Sequence, residues 1–214
     1  MTKKFLVAVA VCVILYVAAA ILLGPPGRPE HHFHHEQGYV TVLSALLLAM
    51  ASGFAGASFL LEQNPTGRSR LFWSLAFLSF LYLSFDELLE FHERMGELIL
   101  GSVVGPVPLF RNWNDVIVIG YGMMAFLTFL YFLPVIRAYP GFEKRIALAA
   151  GFYVLHTLID STQQRTSLSI ILEESAKLFC SAFAASAMLF GMAACWREGR
   201  PPGEGRLQRS QGPG

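Results

Sequence analysis

The residues of this sequence best suited to chemistry lie at 84–97, where acidic side chains and a histidine end a long apolar run. They are Asp86, Glu87, Glu90, His92, Glu93 and Glu97. Carboxylates and imidazoles bind divalent metal ions and exchange protons. Ionised carboxylates inside a membrane are costly unless they are neutralised, so we expect a proton or a metal cation beside them.

Helical geometry orders these acids along one face. At about 100° per residue, four of them fall within about 60° of arc on a continuous helix, namely Asp86, Glu90, Glu93 and Glu97. The spacing predicts a ladder of carboxylate oxygens. His92 points about 100° away from Glu93, so it shares a site with Asp86 only if the helix ends or bends, and Gly96 offers a place for that end.

Two later segments also carry ionisable residues. His156 and Asp160 are four residues apart, which suits two metal ligands or a ring oriented by a carboxylate. The alternative is a hydrogen-bonded pair that only fixes helix packing. Glu173 and Glu174 open the last apolar segment, and the four-residue spacing of Glu173 and Lys177 predicts an internal ion pair.

Two polar features have structural interpretations. Asp115 is expected to be a first-turn acid of a helix, beside an interfacial tryptophan. Residues 31–36 resemble a metal-binding tract in composition, but we expect a solvated or accessory loop segment, with metal binding as the alternative. The histidines of this tract are His31, His32, His34 and His35.

Composition predicts an integral membrane protein. The 214 residues are 54% hydrophobic and 14% charged, and the mean hydropathy of +0.50 lies outside the usual range of soluble domains. The net charge of +1 conceals an uneven distribution of charges and says nothing about partners, and no nucleic-acid partner is expected. Three cysteines lie within or beside apolar runs and are interpreted as small apolar side chains, namely Cys12, Cys180 and Cys195.

Six apolar segments predict an all-α bundle of six transmembrane helices. They are 5–23, 39–61, 71–89, 115–136, 146–162 and 168–195. The fifth is short for about 30 Å of hydrocarbon, and the first is too long for a typical signal peptide, so we expect it to stay uncleaved. Gly53 and Gly56 predict close helix packing. Residues 1–196 form the predicted membrane domain, and 197–214 a disordered cytoplasmic tail.

Basic residues predict the orientation. With six helices and both termini in the cytoplasm, most Lys and Arg lie on the cytoplasmic side, whereas the outer side holds Arg28, Arg94, Arg111 and Arg165. Omitting segment 146–162 would place the C-terminal arginines outside and break this pattern. The predicted location is the cytoplasmic membrane of a bacterium. In this topology the acids and histidines of four helices converge in the outer half of the bilayer.

This convergence predicts a site between helices three to six. The candidate ligands of a divalent metal, which would be zinc, iron or manganese, are Asp86, Glu90, His156, Asp160, Glu173 and Glu174. His92 and Glu93 are the candidates for a general base or an outer ligand. The expected function is metal-dependent hydrolysis or oxidation of a lipid or another hydrophobic substrate.

Two other classes of function stay open. An ion- or proton-coupled transporter would use the acids as an outer vestibule, but the inner halves of the segments hold almost no ionisable residue, which ranks transport below catalysis. A structural or accessory membrane protein would use the cluster only to hold helices together. The sequence indicates no oligomeric state.

Short motifs carry a resemblance to known families. Ser84-Phe85-Asp86-Glu87 after Leu83, then Phe91-His92-Glu93-Arg94, with Glu173-Glu174 later, resemble a family of uncharacterised bacterial polytopic membrane proteins. That family has no established activity that this resemblance would imply.

A looser similarity links the chain to intramembrane zinc hydrolases of the alkaline-ceramidase and adiponectin-receptor type, which place a Ser, an Asp and three His near one membrane face. The corresponding residues here are Ser84, Asp86, His92, His156 and Asp160. The chain has one histidine too few and six predicted helices instead of seven. A zinc site would therefore need a carboxylate as its third ligand, and we do not carry that family's activity over.

Overall fold

The computed structural model describes residues 2–33, 38–63, 66–101, 113–162 and 166–198, and every regular element in these ranges is a helix. The elements are α1 (Thr2–Leu22), α2 (Tyr39–Leu61), α3 (Gly67–Leu89), α4 (Phe91–Arg94), a π-helix (Met95–Gly101), α5 (Trp113–Ala138), α6 (Phe142–Thr162) and α7 (Ser167–Glu198). The all-α fold predicted from the sequence is confirmed.

Five helices of the described chain, α1, α2, α3, α5 and α7, are long and apolar enough to cross a membrane. Many apolar side chains of α1 and α5 are exposed, including Leu15 and Met124, as expected for surfaces that contact lipid tails. These helices indicate a multi-pass membrane protein. The fifth predicted segment, α6, has a comparable length of 21 residues but is not among these five helices.

The long helix α7 lies at the centre of the bundle. It packs mainly against α2 and α6, and α2 packs in turn against α3. A hydrogen bond of 2.8 Å between the hydroxyls of Ser44 and Ser181 joins α2 to α7 inside the bundle. Ser84 on α3 donates to the Ala45 carbonyl oxygen of α2 at 2.9 Å. By contrast α1 makes few contacts, chiefly with α7.

Helix starts follow from local capping and charge. The Thr66 hydroxyl accepts a hydrogen bond of 3.1 Å from the Ser69 backbone N–H, so α3 begins at Gly67 and not at the predicted residue 71. Likewise α6 begins at Phe142 and not at the predicted residue 146. The first turn is helical, but its charged residues excluded it from the apolar segment used for the prediction. The predicted bounds of the second segment are confirmed.

The ends of the long helices form two groups. One end of the bundle holds the end of α3, the start of α5, the end of α6 and the start of α7, and we call it the acidic end. The opposite end holds the starts of α1, α3 and α6 with the ends of α2, α5 and α7, and we call it the basic end. All candidate ligands predicted from the sequence belong to the acidic end.

An aromatic core fills the basic end. Trp73 and Phe142 are completely buried and meet edge-on, with ring centroids 5.9 Å apart. The Trp73 Nε1–H donates to the Tyr139 hydroxyl at 3.3 Å, and that hydroxyl donates to Glu62 Oε1 at 3.1 Å. A Cβ on Gly191 would overlap Trp73, so only glycine fits there.

The two glycines of α2 differ in their surroundings. A Cβ on Gly56 would lie 3.2 Å from Cδ2 of Phe77, which confirms the predicted close packing of α2 and α3. A Cβ on Gly53 would have no atom within 4 Å, so the prediction of close packing is wrong at that position.

These contacts predict opposite effects for two matched substitutions. Gly191→Ala should lower the free energy of unfolding by about 1–3 kcal/mol, because the added methyl group overpacks the Trp73 site. Gly53→Ala should leave it unchanged or raise it slightly, since alanine favours the helix and meets no neighbour. Thermal unfolding in detergent measures both. Equal melting temperatures for the two variants would contradict the packing around Gly191.

Candidate functional site

Helix α3 ends because Glu90 adopts a left-handed conformation. Its φ is 53° and its ψ is 41°, and among the described residues it is the only non-glycine residue with positive φ. The Glu90 N–H still donates to the Asp86 carbonyl oxygen at 2.8 Å, and the Glu90 carbonyl accepts from Arg94 N–H at 2.9 Å. A single residue therefore joins α3 to α4.

This break overturns the predicted ladder of carboxylates. The ladder requires one continuous helix, whereas the chain changes direction at Glu90. Glu97 is exposed, in contrast to Asp86, which is 5% exposed. Glu90 and Glu93 are half-buried. The acids of this stretch therefore occupy different environments.

The break also brings His92 onto Asp86. Asp86 Oδ1 accepts from the backbone N–H of His92, and Oδ2 from ring Nδ1, both at 2.9 Å. An ionised carboxylate only accepts hydrogen bonds, so Nδ1 carries the proton in this arrangement. The sequence predicts that Asp86 and His92 can share a site only if the helix ends or bends. The helix does end, at Glu90 and not at Gly96.

The surroundings of His92 favour its charged form. Burial disfavours the charge on the ring, and Lys177 acts in the same direction. The hydrogen bond and negative charge of Asp86, with a smaller effect of Glu93, outweigh both and raise the pKa of His92 above its ordinary value. His92 thus keeps its second proton to a higher pH than a free histidine does.

Lys177 of α7 lies between two carboxylates. Its Nζ is 3.0 Å from Glu87 Oε1 of α3 and 2.8 Å from Glu174 Oε1 of its own helix. Both glutamate side chains are 11% exposed, so the three charges depend on one another. The ion pair predicted between Glu173 and Lys177 is found between Glu174 and Lys177. The contact to Glu87 ties α3 to α7.

His156 of α6 contributes an unpaired nitrogen. Its ring meets Tyr153 edge-on at a centroid distance of 5.4 Å. The Nδ1 atom is buried and has no hydrogen-bond partner, so Asp160 does not bind it there. The charged groups near enough to act on the ring are Lys177, Asp160 and His92. Helices α4, α6 and α7 therefore contribute to one polar cluster.

Further buried polar atoms at the acidic end lack hydrogen bonds. In the described chain they include Asn114 Oδ1, Ser161 Oγ, Glu174 Oε2 and Ser175 Oγ. Leaving such an atom unpaired costs about 1–3 kcal/mol, and folded proteins pair nearly all of them. We therefore expect water or a polar group of a bound molecule here. Ser161 and Ser175 are not among the residues predicted from the sequence, because nothing in their spacing distinguishes them from other helix serines.

Three further residues named in the sequence analysis lie outside the hydrogen bonds and ion pairs described above for the acidic end. Asp115 is 1% exposed in the first turn of α5, as expected. Glu173 is half-buried at the start of α7. The Ser84 hydroxyl donates its hydrogen bond to the Ala45 carbonyl oxygen.

In the histidine tract, the His32 ring stacks on Tyr39 with centroids 4.2 Å apart. His34 and His35 lie outside the described residues, as do Arg111 and Arg165 and most of the predicted tail. None of the three cysteines forms a disulfide within the described residues.

The donor groups do not fit a metal ion as they are arranged. In the part of the chain that the structure describes, no three His, Cys, Asp or Glu side chains are placed to hold one ion. Both oxygens of Asp86 bind His92, and Glu87 and Glu174 share Lys177. The buried donor atoms without a hydrogen bond include His156 Nδ1 and Glu174 Oε2.

Exposed apolar side chains lie close to His92 in the sequence. Leu89, Phe91 and Met95 are 45%, 42% and 40% exposed. Of the His92 side chain itself, 22% is exposed. The partly exposed ring therefore binds a buried carboxylate within a stretch of chain whose exposed apolar side chains suit lipid tails.

Fold and site together define the class, a multi-pass helical membrane protein with a polar cluster at one end of its bundle. Within that class the chain belongs to a family described as a domain of unknown function, DUF8692, whose family model matches residues 5–191. The match extends from α1 into α7. No curated protein and no solved structure matches the chain.

The Asp86–His92 pair predicts a specific change of titration. In Asp86→Asn the pKa of His92 should fall, because the burial of the ring persists while the favourable charge is lost. In the wild type the pair should stabilise the fold fully below the ordinary histidine pKa of about 6.5, and this contribution should disappear as the pH rises through the higher folded-state value.

NMR titration of isotope-labelled histidines measures the pKa, and thermal unfolding across pH measures the stability. Glu93→Gln is the matched control, and it should lower the pKa of His92 less than Asp86→Asn does. An unchanged titration in Asp86→Asn would disprove the pairing.

Proposed function

We propose that this protein is a membrane enzyme that performs acid–base chemistry on the polar part of a lipid or another hydrophobic molecule. His92 is the general base. One observation carries the proposal, the double hydrogen bond from His92 to Asp86. A carboxylate on Nδ1 orients an imidazole and stabilises its charged form, which leaves Nε2 to exchange a proton.

In this mechanism neutral His92 accepts a proton on Nε2 from a water molecule or from a hydroxyl of the bound molecule. Asp86 stabilises the resulting imidazolium while the deprotonated oxygen attacks the polar group of the bound molecule. The ring then returns the proton to the group that this attack displaces. The raised pKa of His92 suits this role, because a base is most effective when its pKa lies near the working pH. Glu93, which acts on the ring electrostatically, is the alternative base.

The surroundings of the site support a substrate with an apolar body. Exposed Leu89, Phe91 and Met95 beside His92 would contact acyl chains. The unpaired buried oxygens at the acidic end would accept hydrogen bonds from hydroxyl or amino groups. Three carboxylates, Asp86, Glu87 and Glu174, outnumber the two cationic partners His92 and Lys177, and this excess would disfavour an anionic head group. A neutral or cationic polar group is therefore the proposed chemical class.

The proposed topology has six membrane spans, with both termini in the cytoplasm of a bacterial cell and the acidic end outside. The additional span is α6. Its support is the packing along α7, where Phe152 stacks on Phe179 with centroids 4.8 Å apart and Arg145 binds Ser186. The distribution of basic residues supports the orientation.

A divalent metal site is the second candidate function. Two buried donor atoms favour it, His156 Nδ1 and Glu174 Oε2. Asp160 acts electrostatically on both side chains and would be the third ligand. Such a site would take zinc, iron or manganese. It would require side chains to rearrange, because these groups are not placed to hold one ion.

Lipid analysis of cells tests the enzymatic proposal. Expression of the wild-type chain should change the abundance of at least one lipid species relative to an empty vector. His92→Gln and Asp86→Asn should each reduce that change by about a hundredfold or more, because the general base or its orientation is lost. His32→Gln, a histidine substitution at the same membrane face but outside the site, should keep the activity.

The variants must be shown to fold, which monodisperse elution in detergent establishes. A lipid profile that is identical for the vector and the wild type, or activity that persists in His92→Gln, would contradict the enzymatic proposal.

Elemental analysis separates the two candidates. After exposure to Zn, Fe and Mn, a metal site predicts a stoichiometric ion in the wild type that is lost in His156→Ala. If the protein is active and retains no metal, this result supports the acid–base proposal and not the metal site.

A further inference from the structure

Arg145 is a buried cation at the basic end of the bundle, opposite the Asp86–His92 pair. It lies in the first turn of α6 and is 1% exposed. Its Nε donates to the Ser186 hydroxyl at 3.2 Å, and one terminal nitrogen, Nη1, donates to the Gly141 carbonyl oxygen at 2.6 Å. The other terminal nitrogen, Nη2, is buried and has no hydrogen-bond partner.

No described carboxylate balances this charge. No acidic side chain of the described ranges forms an ion pair with Arg145 or acts on it electrostatically. Glu143, two residues away, pairs instead with Arg137, with 3.7 Å between Nε and Oε1. The guanidinium carbon lies 3.4 Å from the ring centroid of Phe190. Stacking on a ring recovers only part of the free energy lost when a charge leaves water.

The surroundings of Arg145 suit an anion. The start of α6 presents backbone N–H groups and the positive end of the helix dipole. Lys144 adds a cation, and Phe5 of α1 lies over the guanidinium at 6.0 Å from its ring centroid. The exposed Lys3 and Lys4 precede Phe5 on α1. A guanidinium binds phosphate oxygens through paired N–H donors, which matches an unpaired Nη2.

We propose that Arg145 is the centre of a phosphate-binding site at the basic end. The ligand class is a phosphate ester, either the head group of an anionic membrane lipid or a soluble phosphate. The N-terminal turn of α1 covers the bound phosphate, and Lys3 and Lys4 contribute charge. Few contacts hold α1 to the bundle, so this turn can move to admit the ligand. The site is independent of the chemistry proposed for His92.

Ligand binding to the full chain in neutral detergent tests the proposal. The probes are phosphatidylglycerol, diacylglycerol with the same acyl chains, and inorganic phosphate, and the readouts are thermal stability and native mass spectrometry. Phosphatidylglycerol should raise the melting temperature of the wild type, and diacylglycerol should not. Equal stabilisation by inorganic phosphate would identify a soluble ligand, whereas an effect of the lipid alone would identify the membrane head group.

Arg145→Gln should weaken binding about tenfold or more, because it removes a charge-assisted hydrogen bond. Arg137→Gln is the matched control, since Arg137 is an exposed arginine at the same end, and it should change the affinity little. Arg145→Lys keeps the charge but loses the paired donors, and its affinity should be intermediate.

Three outcomes would overturn the proposal. The first is a wild type that neither phosphate source stabilises. The second is an Arg145→Gln variant that binds as tightly as the wild type. The third outcome applies if Arg145→Gln does not fold. In that case an Arg145→Lys variant that binds the probe as tightly as the wild type would overturn the proposal, because a purely structural role for Arg145 predicts this result.

Discussion

A carboxylate buried among apolar helices must find hydrogen-bond donors, and Asp86 finds two of them in His92. Both bonds require the chain to turn back on itself within six residues. The left-handed conformation of Glu90 supplies this turn while keeping the last backbone bond of α3. Strain of this kind persists only where the surroundings compensate for it, and the Asp86–His92 pair is the compensation.

The other charges of the acidic end depend on the position of that turn. Because α3 stops at Leu89, Glu87 is left on its last turn beside Lys177 of α7. Lys177 then neutralises one of the two carboxylates that it contacts. His156 approaches the same charges from α6. The cluster thus links α3, α4, α6 and α7, and its unpaired atoms are available to a bound molecule.

Charge also separates the two ends of the bundle. The acidic end combines carboxylates with His92 and Lys177, while the basic end keeps Arg145 buried without an ion pair to any described acid. Under the proposed topology the acidic end faces outward and the basic end faces the anionic cytoplasmic leaflet. This asymmetry is consistent with different ligands at the two ends.

The number of long helices and their approximate positions could be predicted from the sequence, because long apolar runs favour membrane helices, but the starts of α3 and α6 could not. The bounds of α2 agree with the predicted segment 39–61, and charged residues of α3, α6 and α7 lie near one another at the acidic end. The break at Glu90 could not be predicted, because glutamate favours helices. Only the tertiary contact of Asp86 with His92 stabilises the left-handed conformation.

The details of pairing were less predictable. The choice of Glu174 over Glu173 as the partner of Lys177 depends on where the neighbouring α3 places Glu87. Gly53 differs from Gly56 only in the side chain that the adjacent helix presents. Such differences arise from packing between helices, which the spacing of residues within one helix does not contain.

A double-mutant cycle measures the central interaction directly. The free energy of unfolding would be determined in detergent, below pH 6.5, for the wild type, Asp86→Asn, His92→Gln and the combined variant. A charge-assisted pair predicts a coupling energy of about 1–3 kcal/mol between the two positions. Additive effects of the two substitutions would contradict the account, because they would mean that Asp86 does not hold His92.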